Sequence, residues 1–281
     1  MLLRDKRLLI TGVLNERSIA YAAARLALDQ GAEVVLTGVG RGLPLTEQFA
    51  KRLSPDCEVL EMDVTEPGHL EAVAEWCDRR WGRLDGVLHS IAFAPAGTLD
   101  GGFLTAPWSD VSVALEVSTY SFAAFGRVFG PLLAQSDGGS LVGLDFDAGV
   151  AWPGYDWMGV AKAGLESCCR YLAHALGPAG TRVNLVAAGP LRTIASSAIG
   201  SFPGLERAWR ERAPLGWDVR NTEVVARTIC ALWSDWLPTV TGEVIHADGG
   251  AHALGSALAE PTERIPAPRK VAATAAAEVL R

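Results

Sequence analysis

The sequence predicts a doubly wound α/β protein, a parallel β-sheet with helices on both faces. Three observations carry that prediction. Short strands that are apolar throughout alternate with amphipathic helical stretches, as in sheets buried on both sides. Hydrophobic residues make up 49% of the 281 positions and charged residues 20%, ample material for a core. The 30 glycines exceed the usual share of about 7% and suit a fold with many strand-to-helix turns.

The elements follow in order. Leu8-Leu9-Ile10-Thr11 reads as the first strand, ending at Gly12. Ser18 to Gln30 reads as a helix, because Ile19, Ala22, Ala23, Leu26 and Ala27 share a face. Ser18 is its expected N-cap and Gly31 its stop. Glu33-Val34-Val35-Leu36 is a second strand and completes a βαβ unit, which requires parallel strands and a right-handed crossover. Val59-Leu60 is a third strand, His69 to Trp81 a helix, and Gly86-Val87-Leu88-His89 a fourth strand. Val111 to Leu133 reads as one long, mostly apolar helix. A fifth strand at Ser140 to Leu144, a helix from Tyr155 to Leu176 and a sixth strand at Arg182 to Val186 come next. A helix over Thr222 to Trp233 and a strand at Glu243 to His246 complete the pattern. Sheets of this Rossmann type bind ligands at the carboxyl ends of their strands. Residues 1–254 are expected to form a single domain. Residues 255–281, with Pro261, Pro266 and Pro268 before an alanine-rich end, are expected to be a flexible tail with no catalytic role.

Composition narrows the function. The formal net charge of −7 argues against a general nucleic-acid binder, which needs a basic face. Cys57, Cys77, Cys168, Cys169 and Cys230 form no CxxC pair and have no zinc-type spacing, so neither a disulfide framework nor a metal site is expected. The first residues lack the apolar stretch of a signal peptide, and no run of about 18 apolar residues occurs. The expectation is a soluble cytoplasmic protein that does not enter membranes.

The first strand-to-helix turn, Thr11-Gly12-Val13-Leu14-Asn15-Glu16-Arg17-Ser18, stands where a dinucleotide pyrophosphate binds. The GxGxxG fingerprint is absent, and a single glycine fits a plain βα turn equally well. The second strand ends in Thr37-Gly38-Val39-Gly40-Arg41, with no acid to hold an adenosine ribose. Arg41 either faces a 2′-phosphate or is a solvated surface arginine, so NADH and NADPH both stay open.

Five segments taken together resemble the enoyl-acyl carrier protein reductases, a divergent branch of the short-chain dehydrogenases/reductases. Gly12 to Ala20 resembles their G-x5-S-[IL]-A turn, and Ser90-Ile91-Ala92-Phe93 their serine-led motif after the fourth strand. Tyr155 to Lys162 matches their Y-x6-K. Asn184 to Thr193 and Asp248-Gly249-Gly250 match the segments after the last two strands. The wording of Leu144-Asp145-Phe146-Asp147 is similar to the actinobacterial and mycobacterial members. Gly159 stands where ordinary YxxxK dehydrogenases carry lysine, and Val142 where they carry serine, which counts against carbonyl reduction.

The resemblance implies reduction of a trans-2-enoyl thioester, carried by acyl carrier protein or coenzyme A, with hydride passing from NADH to C3. Negative charge then develops on the thioester oxygen, and C2 is protonated afterwards. Tyr155 is the implied donor to that oxygen, since a tyrosine stays protonated at neutral pH. Lys162, seven residues on and so about two helical turns away, is implied to bind the nicotinamide ribose. Phe146 is the implied aromatic neighbour of nicotinamide and enoyl group. Gly12, Ser18 and Ile19 are implied at the pyrophosphate, and Asp63 and Val64 at the adenine, where Asp63 reads equally as a helix cap. Ser90, Ile91 and Ala92 are implied along the ribose and nicotinamide, and Leu191 and Thr193 over the carboxamide and phosphates. Ala94, Tyr155 and Ile199 are implied at the substrate.

The resemblance also places a substrate lid at about 193–216, shorter than in mycobacterial members, which suggests a more open crevice. Arg207, Arg210 and Arg212 either dock an acidic carrier protein or form a solvated helix face with Glu206 and Glu211. A homotetramer is implied, with Val111 to Leu133 as one source of interface. Two other readings stay open: a specialised reductase of a carbonyl or another activated alkene, and a non-catalytic NAD(H) sensor, against which the presence of both Tyr155 and Lys162 argues.

Overall fold

The computed structural model describes residues 1–255, and the expected tail beyond Gly255 lies outside them. Seven parallel strands form one sheet in the order β3-β2-β1-β4-β5-β6-β7. They are β1 (Arg7–Thr11), β2 (Glu33–Gly38), β3 (Glu58–Glu61), β4 (Gly86–His89), β5 (Ser140–Asp145), β6 (Arg182–Ala188) and β7 (Val244–Ala247). The helices are α1 (Ile19–Asp29), α2 (Leu43–Leu53), α3 (Pro67–Trp81), α4 (Trp108–Leu115), α5 (Ser121–Leu133), α6 (Asp156–Leu176), α7 (Phe202–Arg212) and α8 (Glu223–Trp233). No described helix is long and apolar enough to cross a membrane.

Alternation along β1 divides the core. Leu8 and Ile10 point to a layer built with α1 and α8, where Ala20, Ala23, Ala27, Ile229 and Trp233 pack. Leu9 points the other way, to Leu70 and Val73 of α3, Phe122 and Phe125 of α5, and Leu165 of α6. Burying both faces explains why the strands read as unbroken apolar runs. Gly86 matters for the first layer: a Cβ there would lie 2.6 Å from the Trp233 ring.

Three expectations need correction. Ser18 stands at the N-cap position of α1, but its side chain does not cap the helix. Its Oγ instead accepts the amides of Leu14 and Asn15 at 3.1 and 3.2 Å, folding the preceding turn. The single helix expected over Val111 to Leu133 begins at Trp108 and is divided by a π-helical turn, Glu116–Tyr120. Its apolar residues are largely used inside the fold, because Phe122, Phe125, Phe129, Leu132 and Leu133 are buried. α2 was not expected at all; it buries only Thr46 and Ala50, too little for a helical period to register.

The strand order reverses between β1 and β4, since β2 and β3 extend one way and β5 to β7 the other. Such a switch point opens a crevice outside the carboxyl ends of the two strands.

Candidate active site

The crevice is stitched at its base by Thr11, the last residue of β1. Its hydroxyl donates to the carbonyl of Leu88 at 2.9 Å and accepts the amide of Ser90 at 2.9 Å. Gly12 follows with φ +83°, and a Cβ on it would lie 2.1 Å from the Ser90 carbonyl oxygen. Backbone therefore meets backbone here, and the turn leads into α1, whose first amides form an anion-receptive helix start. Ser18, its oxygen already accepting from the turn, keeps a hydroxyl proton to donate.

β5 and α6 bring the chemistry. Tyr155 is buried at the N-cap of α6. Burial, and secondarily the charge of Asp145, push its phenol well above the ordinary tyrosine range, so it is a donor at neutral pH. Phe146, just past β5, packs against it with ring centroids 5.1 Å apart. Gly159 lies beside this ring, and a Cβ there would meet Tyr155 Cδ1 at 3.7 Å, an ordinary contact. Lys162 is buried too, and its Nζ donates to the Leu144 carbonyl at 2.8 Å. Burial lowers the Lys162 pKa and the charge of Asp145 opposes the shift. Asp145 is its mirror image, raised by burial and held down by Lys162. Neither Asp145 oxygen finds a hydrogen-bond partner among the described residues, although both are buried.

Around Tyr155 lies an apolar cluster of Leu99, Met158 and Ala161, with Ala94, Leu115, Phe146, Trp152 and Ile199 against it. Ala94, Tyr155, Phe146 and Ile199, expected at one site from four separate segments, are thus brought together. Trp209 of α7 closes the cluster from above, 5.3 Å from the Phe146 ring and 4.8 Å from Trp152. Gly189 permits this, since a Cβ on it would lie 2.6 Å from Trp209 Nε1 and 2.7 Å from the Trp217 ring.

The remaining candidates sit at strand ends along the same edge. Ser90, Ile91 and Ala92 follow β4 directly, and Ile91 packs into the core layer of α3, α5 and α6. Leu191 is buried after β6. Thr193 and Ser196 exchange hydrogen bonds, Thr193 N to Ser196 Oγ at 2.9 Å and Ser196 N to Thr193 Oγ1 at 3.2 Å. Asp63 Oδ1 accepts both the amide and the hydroxyl of Thr65, at 2.9 and 2.7 Å. It therefore folds the turn after β3 and does not cap α3, whose N-cap is Glu66. Val64 is half-buried beside it. Arg41 is exposed in a short turn at Gly40–Gly42.

The three arginines after the expected lid do not act alike. Arg212 turns inward, its guanidinium 5.5 Å above the Trp152 ring and bonded to the Leu254 carbonyl. Arg210 pairs with Glu206 at 3.5 Å, and Arg192 pairs with the same carboxylate at 2.6 Å. Only Arg207 and Arg210 of the trio face solvent.

Sequence reasoning missed the π-helical turn. Ser118 Oγ accepts the Phe93 amide and donates to the Phe93 carbonyl, both at 3.0 Å. Thr119 donates to the Ala161 carbonyl at 2.7 Å. The widened turn therefore ties the loop after β4 to the helix that carries Lys162. Trp152, Trp209 and Asp145 were missed as well. The last was quoted in a motif but given no role.

A doubly wound sheet with a glycine turn at its switch point and a Tyr–Lys pair on the helix after β5 defines a short-chain dehydrogenase/reductase. Comparison with known proteins narrows the class. The family model of enoyl-(acyl carrier protein) reductase matches residues 12–252. Over 264 residues the chain is 46% identical to the NADH-dependent enoyl-[acyl-carrier-protein] reductase of Mycolicibacterium smegmatis, covering 89% of this chain and 97% of that protein. The Mycobacterium avium protein of the same name is 43% identical, with the same coverage, and that of Escherichia coli 38% identical over 88% and 94%. The chain belongs to the enoyl-acyl carrier protein reductase family.

Proposed function

We propose that this protein reduces the C2=C3 double bond of trans-2-enoyl thioesters on acyl carrier protein, with NADH as reductant, in fatty-acid synthesis. The observation that carries this reading is the convergence of Tyr155, Phe146 and an apolar cluster beside a buried Lys162. The relatives' names supply the reaction and the reductant. The residues fit a dinucleotide: the Gly12–Ser90 contact leaves bare backbone at the switch point, and the buried Asp145 carboxylate is unpartnered beside Lys162.

NADH, when bound, supplies the hydride for C3. Gly12, Ser18 and Ile19 would hold its pyrophosphate, Asp63 and Val64 its adenine, and Lys162 the hydroxyls of its nicotinamide ribose. Ser90, Ile91 and Ala92 would line the ribose and nicotinamide, with Leu191 and Thr193 over the carboxamide and phosphates. The Tyr155 hydroxyl donates to the thioester oxygen as negative charge gathers there; one such donor is typically worth about 2.7–4 kcal/mol. Phe146, Ala94 and Ile199 pack the enoyl chain. Residues of about 193–216 act as the lid, and Trp209 on α7 keeps water from the reacting carbons.

Exposed Arg207 and Arg210 favour docking of an acidic carrier protein. Reversing both charges should weaken carrier-protein substrates and spare coenzyme A thioesters; equal effects on both would remove the docking role. Trp108, Tyr120 and Tyr171 expose 71%, 65% and 75% of their surfaces on α4, the π-helical turn and α6, which supports a homotetramer joined through these helices. Five free thiols fit the reducing cytoplasm. The primary test follows NADH oxidation by absorbance with enoyl thioesters of short and medium chain. Oxidation that depends on the thioester is the expected result; NADH binding without turnover on any of them would overturn the reading.

A further inference from the structure

Three segments far apart in sequence meet at Asp100, in the loop between β4 and α4. Asp100 has φ +51°, uncommon for a residue with a side chain. One carboxylate oxygen accepts the amide of Gly200 at 2.9 Å and the other that of Ser201 at 3.0 Å. These amides lead into α7, whose positive N-terminal end favours a carboxylate. The backbone of the same loop holds the turn around Tyr155. Asp100 N donates to the carbonyl of Gly154, the residue before the tyrosine, at 3.0 Å. Gly101 N donates to the carboxylate of Asp156, the residue after it, at 2.6 Å. Asp156 is itself left-handed, with φ +42°.

Two glycines make this junction possible. A Cβ on Gly200 would lie 2.8 Å from Asp100 Oδ2. A Cβ on Gly154 would lie 2.7 Å from Ser201 Oγ and 3.1 Å from Asp100 Oδ1. Leu99, the preceding residue, is buried against the Tyr155 cluster that also receives Ile199. Left-handed residues persist where their surroundings over-determine them, and they gather at clamps and switches.

We infer that Asp100 is the latch of the acyl-site lid, a positioning residue for the acyl chain. Its carboxylate holds the start of α7 over the apolar cluster, while its backbone fixes the turn that presents Tyr155. The inference rests on the proposed role of 193–216 as lid. Releasing the latch loosens the cover over the acyl chain and leaves the dinucleotide turn at Gly12 untouched.

Asp100→Asn tests this, because asparagine tolerates the left-handed backbone and replaces one acceptor with an N–H that meets an amide N–H. Asp100→Gly relieves the backbone entirely and removes both acceptors. In each variant the KM for a medium-chain trans-2-enoyl coenzyme A should rise about tenfold or more. The kcat should stay within about threefold and NADH affinity should be unchanged. Hydrogen exchange of the amides at 199–205 should accelerate without global loosening. A residue that only stabilised the fold would lower the melting temperature and leave the KM-to-kcat split unmoved. Unchanged exchange at 199–205 in both variants, or a fall in kcat at constant KM, overturns the latch. If the unmodified protein reduces no enoyl thioester, the functional reading fails on its own, and the exchange measurement alone decides the latch.

Discussion

Gly12→Ala isolates the dinucleotide turn. The added Cβ would stand 2.1 Å from the Ser90 carbonyl oxygen and 2.8 Å from Ser90 Oγ. The hydroxyl can rotate away, but the carbonyl belongs to the backbone and must retreat by more than about 1 Å to reach ordinary contact distance near 3.5 Å. That movement strains the 2.9 Å bond from Ser90 N to Thr11 Oγ1. Losing it costs about 1 kcal/mol or somewhat more in a buried site. Holding alanine at φ +83° adds roughly 1–2 kcal/mol. Alanine returns about half a kcal/mol by stiffening the unfolded chain. The net loss is about 1.5–2.5 kcal/mol, small enough for a domain of ordinary stability, about 5–15 kcal/mol, to stay folded. The variant should therefore unfold cooperatively at lower urea, while the displaced turn weakens NADH binding by about tenfold or more. Urea titration by fluorescence and NADH titration by energy transfer from tryptophan read the two effects separately. A Gly12→Ala protein with unaltered NADH affinity would refute the placement of the pyrophosphate at this turn.

Two further perturbations address the reacting end and the buried histidine. Tyr155→Phe should lower turnover by about 10²–10³-fold while NADH affinity holds, because it deletes one aimed donor; steady-state kinetics with unchanged kcat would remove the assignment. His89 is buried between Phe122 and Phe125, its Nε2 2.7 Å from Ser121 Oγ, and burial and then the charge of Lys162 press its pKa down to about 3. The unfolded chain takes up that proton near pH 6.5, so stability falls as pH drops from about 6.5 toward 3, by about 1.4 kcal/mol per unit. Asp145, raised by burial, acts in the opposite sense over an overlapping range, because the folded protein holds its proton more tightly. Only the difference between unmodified protein and His89→Gln isolates the histidine. That difference should move steadily in favour of the variant between about pH 6.5 and 4 in urea titrations; a gap constant with pH would contradict it.

What the sequence made legible follows from where each signal resides. The central strands are apolar runs because they are buried on both faces, a property of consecutive residues, whereas the edge strand β3 has only Val59 and Leu60 half-buried between exposed glutamates. Tyr155 and Lys162 were legible for a similar reason, since their spacing on α6 is local. α2 was not, because only Thr46 and Ala50 turn inward. The π-helical turn leaves no trace in hydropathy; what accompanies it is a set of hydroxyl bonds to Phe93 and Ala161, partners fixed only once the chain has folded. Trp209 sits in a stretch that reads as a polar helix, yet it is buried against Phe146, more than sixty residues earlier. Asp100 was illegible for a third reason: its importance lies in a left-handed backbone and two amides one hundred residues away.

The buried Lys162–Asp145 pair shows why such features gather at this site. An ammonium and a carboxylate taken out of water cost several kcal/mol each, and the fold recovers that only where further hydrogen bonds complete them. Lys162 has one carbonyl, that of Leu144, and Asp145 has no partner among the described residues. A core optimised for stability alone would replace both with apolar residues. Their retention beneath Tyr155, at the end of β5 and on the face of α6, makes sense where a polar ligand completes the arrangement. The nicotinamide ribose of the proposed cofactor has hydroxyls of the required kind. The same logic joins Asp100, strained and charged, to the lid: the chain departs from its most stable local choices at positions that border the apolar cleft.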